Sequence, residues 1–497
     1  MSLPREAADR ATIMAELASF RADDPPVHGG RVLAYVYDSG VADLPEVATE
    51  ALSMYAEVNG LDPTVFPSVA TIENDLVGWG LDLLGGGPEA AGLVTSGGTE
   101  SCLLAVKAGR EHWRAKVGPE RAAQVKPVLI LPVTAHSAFI KGAKYFDLEV
   151  MSLPVDPDTF QVRVEDVAAA LDIALDRAAL VVVSSPSYAH GVVDPIAEVA
   201  ALGLERGVPV HSDACIGGWT LPYMARIGAE VAPFDLSVPG VRSVSVDLHK
   251  YGYAPKGTSL LLFSDAEYRL NTFFTYSSWP GYPVVNTTMQ STKSAGPAAA
   301  AWAVLRRIGD AGFEQLVESA WLATQEIATG ASEIAGLRVL GTPAATLIAL
   351  AADGGPEEGG VDPFVLADRM RGRGWFIQPQ PAIGDLPRTA HLTVQAVNRA
   401  NAAEFLDALR ESAAEAAGMP WAQPDAGLVE VAGQLDVDSL DLPTVLNLLK
   451  FAGLDVSEGP SLPEESAGIQ ALLESLPVDV RNRLLAGFFS AIFTANR

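Results

Sequence analysis

The chain has 497 residues, of which 49% are hydrophobic and 19% are charged, and its formal net charge at pH 7 is −27. This length exceeds that of one ordinary hydrophobic core, so we expect two or three domains. The acidic balance argues against nucleic acid and anionic membranes as partners, because both require basic surface patches.

The sequence shows no pattern for membrane insertion or for cysteine-based chemistry. No apolar run approaches the roughly 20 residues that span a bilayer, and the first residues lack a signal-peptide pattern. The two cysteines, Cys102 and Cys215, have no metal-ligand spacing, so neither a disulfide framework nor a metal site is predicted. We therefore expect a cytoplasmic protein without a membrane anchor.

Apolar runs alternate with helix-like stretches up to about residue 310. Strands are predicted at 128–131, 180–183, 209–211, 241–246 and 259–263, and helices at 101–116, 164–177 and 195–206. This alternation predicts an α/β fold with a mostly parallel sheet covered by helices on both faces. Ligands of such sheets bind beyond the carboxyl ends of the strands. The residues expected at that edge are His136, Ser185, Asp213 and Lys250.

A different pattern begins near residue 311 and predicts a smaller domain over 311–418. Its predicted elements are a long helix over 313–335 that Gly336 could end, strands at 337–340 and 346–351, a helix over 363–373 and a strand over 390–394. Beyond it, the segment 419–497 has apolar helical patterns at 443–451, 469–476 and 478–493. We expect a helical extension packed on the body of the protein or across a dimer, in preference to an element that docks another partner.

Lys250 follows His249 directly after the predicted strand 241–246, in the segment Asp247-Leu-His-Lys-Tyr-Gly-Tyr. A lysine at a strand end that faces a pocket instead of water can lose its proton and form a Schiff base with an aldehyde. Alone it is weak evidence, since most lysines at strand ends are solvated. Three other segments supply what an aldehyde cofactor with a phosphate would need.

The first of these segments, Thr95-Ser-Gly-Gly-Thr-Glu100, precedes a predicted helix. Backbone N–H groups and the helix dipole there could hold a phosphate, or the segment could be an ordinary turn with Thr99 as the N-cap. The second segment ends in Asp213, whose carboxylate can pair with a protonated pyridine nitrogen or serve as a turn residue. In the third, the imidazole of His136 can stack on an aromatic ring or have a structural role.

Taken in order along the chain, these segments resemble fold-type I pyridoxal 5′-phosphate (PLP) enzymes of the group II decarboxylase superfamily, and most closely the sphingosine-1-phosphate lyase family. The resemblance runs from about residue 30 to about residue 397. The segments that carry it are Thr95-Ser-Gly-Gly-Thr-Glu-Ser, His136-Ser-Ala-Phe-Ile-Lys-Gly-Ala, Tyr188-Ala-His-Gly-Val-Val-Asp-Pro-Ile, His211-Ser-Asp-Ala-Cys-Ile-Gly-Gly and Asp247-Leu-His-Lys-Tyr-Gly-Tyr-Ala-Pro-Lys-Gly. It implies an N-terminal segment over 1–60, a large PLP-binding domain over 61–310, and a homodimer whose two chains together build each active site.

The resemblance also implies roles for single residues. Lys250 would form the Schiff base with PLP, Asp213 would pair with the pyridine nitrogen, and His136 would stack on the ring. The residues that would hold the cofactor phosphate are Gly97, Gly98, Thr99 and His249. Lys256 would lie near a substrate phosphate or transfer a proton. The other residues of the substrate site would be Tyr37, Asn59 and Asp62.

Three positions depart from the pattern of the phosphate-cleaving relatives. Asp62 stands where those relatives usually have histidine, the relatives tend to have a histidine near Asp38, and Ser291-Thr-Lys293 replaces a Gly-Ser-Arg. A desolvated carboxylate close to a phosphate is strongly unfavourable. One hypothesis is that the substrate is not a simple long-chain-base phosphate. The other is that both acids face solvent or pair with Lys256 or Lys293.

Three functions are consistent with these residues. The first is a PLP-dependent carbon–carbon lyase that cleaves an amino alcohol, expected to be phosphorylated, to an aldehyde and a small amine. The second is a PLP-dependent amino-acid decarboxylase on the same scaffold, which the acidic positions favour. The third is a PLP-binding protein without turnover, which the complete set of site residues argues against. Lys256 or Tyr251 could supply the acid or base of either reaction.

Overall fold

The computed structural model describes residues 3–433, 440–451, 454 and 465–494. The large domain is built on seven strands: β1 Ala91–Thr95, β2 Val128–Pro132, β3 Glu149–Leu153, β4 Ala178–Ser184, β5 Val210–Asp213, β6 Val241–Asp247 and β7 Ser259–Phe263. Their order in the sheet is β1-β7-β6-β5-β4-β2-β3. β7 is antiparallel to β1 and β6 and every other pair is parallel, so the predicted mostly parallel sheet is confirmed. A separate hairpin follows, formed by β8 Phe274–Tyr276 and β9 Val284–Asn286.

Helices cover both faces of the large sheet. The helices of this part of the chain are α1 Arg10–Phe20, which buries no residue, and α2 Leu44–Met54, α3 Pro67–Leu83, α4 Gly98–Val117, α5 Pro119–Gln124, α6 Ser137–Phe146, α7 Val164–Ala174, α8 Ile196–Arg206, α9 Leu221–Arg226 and α10 Ala266–Arg269. Ile130 and Val181 join a buried cluster with α7 and α8, whereas Leu129 and Leu180 join one with α4 and α6. Because successive side chains of a strand point to opposite faces, continuous apolar strands bury both faces of the sheet.

The longest helix, α11 (Gly296–Ser332), contains one non-helical residue, Gly309, with φ 69° and ψ 167°. The sequence predicted only 313–335 as a helix, because this glycine interrupts the periodic pattern. Val304 lies in the core of the large domain and Ile327 in that of the small domain. The helix therefore connects the two domains.

The small domain has a four-stranded antiparallel sheet with two helices packed against it. Its elements are β10 Leu337–Val339, β11 Leu347–Ala352, α12 Pro363–Gly372, β12 Gln378–Gln380, β13 Thr389–Thr393 and α13 Ala402–Ala417, with the strand order β10-β11-β13-β12. The sequence did not predict β12, since Gln-Pro-Gln has no apolar pattern. Leu33, far away in the sequence, is buried in this domain and its N–H donates to the carbonyl of Phe376 over 2.9 Å.

In the described part of the C-terminal extension, four helices surround a core of their own. They are α14 Ala426–Gly433, α15 Leu442–Phe451, α16 Ala467–Ser475 and α17 Val478–Ile492. Val445 and Leu484 are buried in that core, and α16 contacts α12 of the small domain. The three predicted helices correspond to α15, α16 and α17, and α16 lies against the small domain, which is one of the two arrangements that the sequence left open. Among the described residues, no helix is both long and apolar enough to cross a bilayer.

Candidate active site

A cavity of about 180 Å³ lies where the central parallel strands end. The predicted residues that line it are Gly98, Thr99, His136, Asp213, His249 and Lys250. They come from four separate segments of the chain, and the parallel order of β4, β5 and β6 brings those segments to one edge. The structure thus places the predicted cofactor residues together at the predicted edge of the sheet.

The amino group of Lys250 forms an ion pair with Asp247, whose Oδ2 is 2.9 Å away. Burial alone would lower the pKa of Lys250, but the carboxylate of Asp247 outweighs it, so the pKa lies well above its ordinary value. Burial alone would raise the pKa of Asp247, but the charges of Lys250 and His249 outweigh it and lower the pKa below its usual range. Both side chains are therefore charged. Sequence reasoning missed Asp247, although it stands three residues before Lys250.

The turn before α4 presents backbone N–H groups to the same cavity. The helix begins at Gly98 with Gly97 as its N-cap, so the alternative in which Thr99 is the N-cap is wrong. A Cβ atom at position 98 would lie 2.7 Å from the carboxylate oxygens of Asp247, which only glycine avoids. Glu100 anchors the turn, because its carboxylate accepts the N–H of Ser96 over 2.6 Å. Together, a glycine turn and a helix N-terminus form an anion site.

Asp213 and His136 are both held by local hydrogen bonds. Oδ1 of Asp213 accepts the hydroxyl of Ser245 at 3.0 Å and the N–H of Cys215 at 3.2 Å. His136 is the N-cap of α6, where its Nδ1 accepts the N–H of Ala138 at 3.2 Å. A neutral imidazole that accepts at Nδ1 carries its proton on Nε2. Each side chain therefore has a defined orientation in the cavity wall.

A second lysine lies close to the first. Nζ of Lys256 is 3.4 Å from the carbonyl of His249 and 4.8 Å from the ring centroid of Tyr37. Burial, followed by the charge of Lys250, lowers the pKa of Lys256 to about 8. Tyr37 stacks edge-on against Tyr251 at 5.2 Å, and burial raises the pKa of Tyr37 to about 12. Lys256 is therefore a base with a pKa near neutral pH, next to a tyrosine that keeps its proton.

Two predicted substrate residues lie apart from this cavity. Oδ1 of Asn59 accepts the N–H of Leu61, and the exposed Asp62 accepts both the N–H and the hydroxyl of Thr64 at 2.9 and 2.6 Å. Asp62 borders a different depression of about 810 Å³, which Lys293 also lines. These side chains stabilise their own loop, and the structure does not bring them to Lys250.

Asp38 is also engaged by its own loop. Its carboxylate is buried, accepts the N–H groups of Gly29 and Gly40 at 2.8 and 3.0 Å, and lies 3.4 Å from Nδ1 of His28. Lys293 pairs instead with Glu73 over 2.9 Å. The expected pairing of the acids with Lys256 or Lys293 is therefore wrong, and solvent exposure is correct for Asp62 alone.

Tyr188 is a further cavity residue to which the sequence assigned no role. Its hydroxyl donates to Oε1 of Gln378 at 2.6 Å, and its ring stacks on the imidazole of His391 with centroids 4.1 Å apart. Both partners belong to the small domain, so they can be identified only from the tertiary structure. The hydroxyl of Ser184 also lines the cavity, buried and without a hydrogen-bond partner in the described part of the chain.

The two cysteines meet at the same cavity. Their sulfur atoms and a carboxylate oxygen of Asp213 all lie within 4.8 Å of one another. The sequence predicted no such grouping, because Cys102 and Cys215 are far apart along the chain. The hydrogen bond with Cys102, together with burial, raises the pKa of Cys215 well above its ordinary value. The side chain of Cys215 is therefore a protonated thiol near neutral pH.

The donor set of the cavity fits PLP. The N-terminus of α4 at Gly98 offers N–H groups to a phosphate, Asp213 offers a carboxylate to a ring nitrogen, and Lys250 offers an amine to an aldehyde. His136 offers an imidazole face. The unpartnered hydroxyl of Ser184 is what a polar ligand would satisfy, because buried polar groups are nearly always hydrogen-bonded.

Comparison with known proteins agrees with this donor set. The model of the pyridoxal-dependent decarboxylase conserved domain matches residues 28–337, and that of an HTH-like C-terminal domain of pyridoxal-dependent enzymes matches 426–491. The sphingosine-1-phosphate lyase of Arabidopsis thaliana is 35% identical over 73% of this chain and 64% of its own length. That of Dictyostelium discoideum is 30% identical over 83% of this chain and 74% of its own length. The chain thus spans slightly less than two thirds of the Arabidopsis protein.

Solved structures show the same fold. The sphingosine-1-phosphate lyase of Burkholderia pseudomallei matches with a TM-score of 0.77 and 31% identity, over 84% of this chain and 93% of that one. A glutamate decarboxylase of Lactobacillus brevis matches with a TM-score of 0.73 over 84% of this chain and 96% of that one. Its 20% identity shows a shared fold alone. The predicted fold-type I architecture is confirmed.

Proposed function

We propose, from the premise that this chain belongs to the pyridoxal-dependent decarboxylase family, that it is a PLP-dependent carbon–carbon lyase. Its substrate would be an amino alcohol, in the first instance a phosphorylated one, and its products an aldehyde and a small amine. The similarity to sphingosine-1-phosphate lyases of eukaryotes and bacteria supports this choice within the family.

The observation that carries the proposal is a second lysine beside the cavity of Lys250, where Lys256 contacts the carbonyl of the cavity residue His249. Lys250 is charged and paired with Asp247, whereas the contacts of Lys256 within the described residues are a carbonyl and the ring of Tyr37. A lysine with a pKa of about 8 can take a proton from a substrate hydroxyl or bind a phosphate. A retro-aldol cleavage requires such a base.

The side chains divide the work as follows. Bound PLP supplies an electron sink for the bond that breaks at the amine-bearing carbon. Asp213 keeps the proton on the ring nitrogen, and Lys256 takes the proton of the neighbouring hydroxyl. Tyr251 is a poor alternative base, because its hydroxyl donates to the carbonyl of Val394 at 2.7 Å and burial raises its pKa well above the ordinary value.

Decarboxylation of an amino acid is the second candidate on this scaffold. The acidic positions Asp38 and Asp62 had favoured it, as carboxylates that would repel a substrate phosphate. Both carboxylates are engaged within their own loops, so this argument loses its basis. The decarboxylase stays an outcome of the experiment.

A substrate panel on the PLP-loaded protein tests the proposal. The panel holds sphingoid-base phosphates, shorter amino alcohols with and without phosphate, and the common aromatic, acidic and basic amino acids, and mass spectrometry scores aldehyde and carbon dioxide. Aldehyde that is absent with Lys250→Ala supports the lyase. Carbon dioxide with the matching amine supports the decarboxylase, and no product from any substrate supports a PLP-binding protein without turnover.

A homodimer with shared active sites is a further proposal, as is a cytoplasmic location. The hairpin of β8 and β9 supports the dimer, because it exposes large apolar side chains that a partner could cover. They are Phe274, Tyr276, Trp279, Tyr282 and Val285. Sedimentation equilibrium tests the dimer, and cell fractionation tests the location.

A further inference from the structure

We infer that the C-terminal extension braces one wall of the active-site cavity, with Glu474 of α16 as the positioning residue. The inference rests on the proposed function in one respect, namely that the cavity at Lys250 is the active site. The wall in question carries Tyr188, which lines the cavity but is held by residues of the small domain.

The extension is attached to the small domain by a buried cap. The carboxylate of Asp368, in α12, accepts the N–H and the hydroxyl of Ser466 and the N–H of Ala467 at 2.8 to 3.1 Å. Asp368 and Ser466 are both buried. Because a buried carboxylate that loses such donors is costly, the start of α16 has a defined position on the small domain.

Glu474, near the end of the same helix, holds both ends of the loop between β12 and β13. One carboxylate oxygen accepts the N–H of Ala382 at 2.6 Å, at the start of the loop. The other accepts two N–H groups of Arg388, at its end, over 2.7 and 2.5 Å. Only 14% of the side chain of Arg388 and 16% of that of Glu474 are exposed, so water screens the pair weakly.

The side chain of Arg388 is also held by contacts other than the one with Glu474. Its third nitrogen, Nη1, donates to Oδ2 of Asp362 at 3.2 Å and to the carbonyl of Ala422 at 3.1 Å. Its guanidinium lies 4.5 Å from the ring centroid of Phe364. The planar fork is thereby fixed from three sides, and Glu474 completes the arrangement.

The loop controls the strand that holds Tyr188. β12 has three residues, one of them proline, and its only neighbour in the described sheet is β13. Gln378 of β12 accepts the hydroxyl of Tyr188, and His391 of β13 stacks on its ring. A short edge strand with few ladder bonds depends on its loop for its position. Release of the loop ends would therefore move Tyr188.

The net negative charge of the C-terminal extension favours contacts within the protein over nucleic-acid binding. The segment that matches the HTH-like family, 426–491, has ten acidic and three basic side chains. Arg481 donates to the carbonyls of Glu474 and Leu476, and Arg483 donates to that of Leu440. Nucleic-acid binding requires a basic face, which this composition does not provide.

The test compares full-length Glu474→Gln and Arg388→Gln with the control Glu465→Gln. Glu465 pairs with Arg369 across the same junction but does not touch the loop. Two quantities are measured on the PLP-loaded proteins: the affinity for PLP and the rate at which aminooxyacetate, a generic carbonyl reagent, captures the bound cofactor. Each variant is also made in a Tyr188→Phe background, and melting temperatures are recorded.

We expect the two loop variants to change the PLP affinity or the capture rate by about threefold or more, and the control to change neither. In the Tyr188→Phe background the same substitutions should have a smaller effect, because residues that act through one another are not additive. Equal effects in both backgrounds, or equal effects of the control, would mean that the extension contributes stability alone and would refute the inference.

Hydrogen exchange of the cofactor-free proteins separates this inference from the proposed function. Glu474→Gln should speed amide exchange in 378–391 and 185–192, and the control should not. A wild-type protein that binds no PLP would refute the proposed function, yet the exchange result would still decide whether Glu474 positions Tyr188. Unchanged exchange in both segments would refute the brace.

Discussion

The carboxylate of Asp247 lies 2.9 Å from the amino group of Lys250, and 2% of its side chain is exposed. The hydroxyl of Ser259 donates to its other oxygen, and the glycine at position 98 leaves room for it. Lys250, the lysine that the cofactor requires, is thus held in a buried ion pair. Its reactivity depends on the partner, because burial alone would lower its pKa and the carboxylate raises it.

Asp247→Asn should move cofactor uptake to lower pH. Without the carboxylate, burial is the main influence left on Lys250, so its pKa falls and the reactive neutral amine is present at lower pH. The measurement is the rate of PLP uptake against pH, with Glu165→Gln, an exposed acid, as the control for lost charge. Breaking a buried pair typically destabilises a protein by about 3–5 kcal/mol, so circular dichroism must first show a folded variant. An unchanged pH profile would contradict the assigned role of Asp247.

Gly98→Ala should weaken PLP binding. The added Cβ would lie 2.7 Å from both carboxylate oxygens of Asp247, closer than such contacts occur, so the turn or the ion pair must shift. Gly87→Ala is the matched control, because nothing lies within 4 Å of a Cβ built at that position. We expect a loss of affinity of at least about tenfold for the first, equal to about 1.4 kcal/mol, and none for the second. Equal affinities would show that the turn does not hold the cofactor.

Lys256→Met should reduce turnover by about 10²- to 10⁴-fold if the lysine is the general base. A base must be neutral, so the turnover rate of the wild-type protein should rise with pH through about 8, the pKa of Lys256, and then level off. The variant should lose this rise. A wild-type turnover rate that falls as the pH rises through the same range would contradict this role and would make Lys256 the general acid.

Acid should unfold this protein through three buried histidines, His190, His211 and His391. Burial lowers their pKa values from 6.5 to about 4, 4 and 3. The unfolded state therefore binds more protons below pH 6.5, so the stability they contribute is complete above that pH and falls progressively toward pH 4. Asp194, whose pKa burial raises from 3.8 to about 6, opposes this over part of the range.

Urea unfolding between pH 7 and pH 4.5 measures this effect. Each unit of difference in pKa corresponds to about 1.4 kcal/mol, so three histidines outweigh one carboxyl group. His190→Gln, at the ring stacked on Phe160, should flatten the pH dependence. A stability that is constant over this range would show that the histidines titrate normally.

Asp38→Ala should destabilise the protein more than Asp62→Ala. Loss of the buried Asp38 removes the hydrogen bonds that it accepts from Gly29 and Gly40, at about 0.5–1.5 kcal/mol each, whereas the exposed Asp62 caps only its own turn. Neither change should alter the specificity for a phosphorylated substrate by more than about twofold. A large gain in turnover of phosphorylated substrates would restore the hypothesis that these acids repel phosphate.

Much of the fold could be predicted because its signals are local. Continuous apolar runs at 128–131 and 180–183 predict strands buried on both faces, and such strands are parallel and carry ligands at their carboxyl ends. The edge strand β12 and the first half of α11 escaped prediction, since one has no apolar pattern and the other is interrupted at Gly309.

The sequence by itself determined which residue types stand at the strand ends, including Lys250, Asp213 and His136, because position in a strand depends on neighbours in the chain. Only the tertiary structure decided what each charged group faces. It paired Asp247 with Lys250, left Lys256 against a tyrosine ring, and placed Glu474 on a loop 86 to 92 residues away in the sequence. Long-range packing and the cost of burying an unpaired charge determine which groups become partners. The hydrophobic periodicity of the sequence contains no information on either.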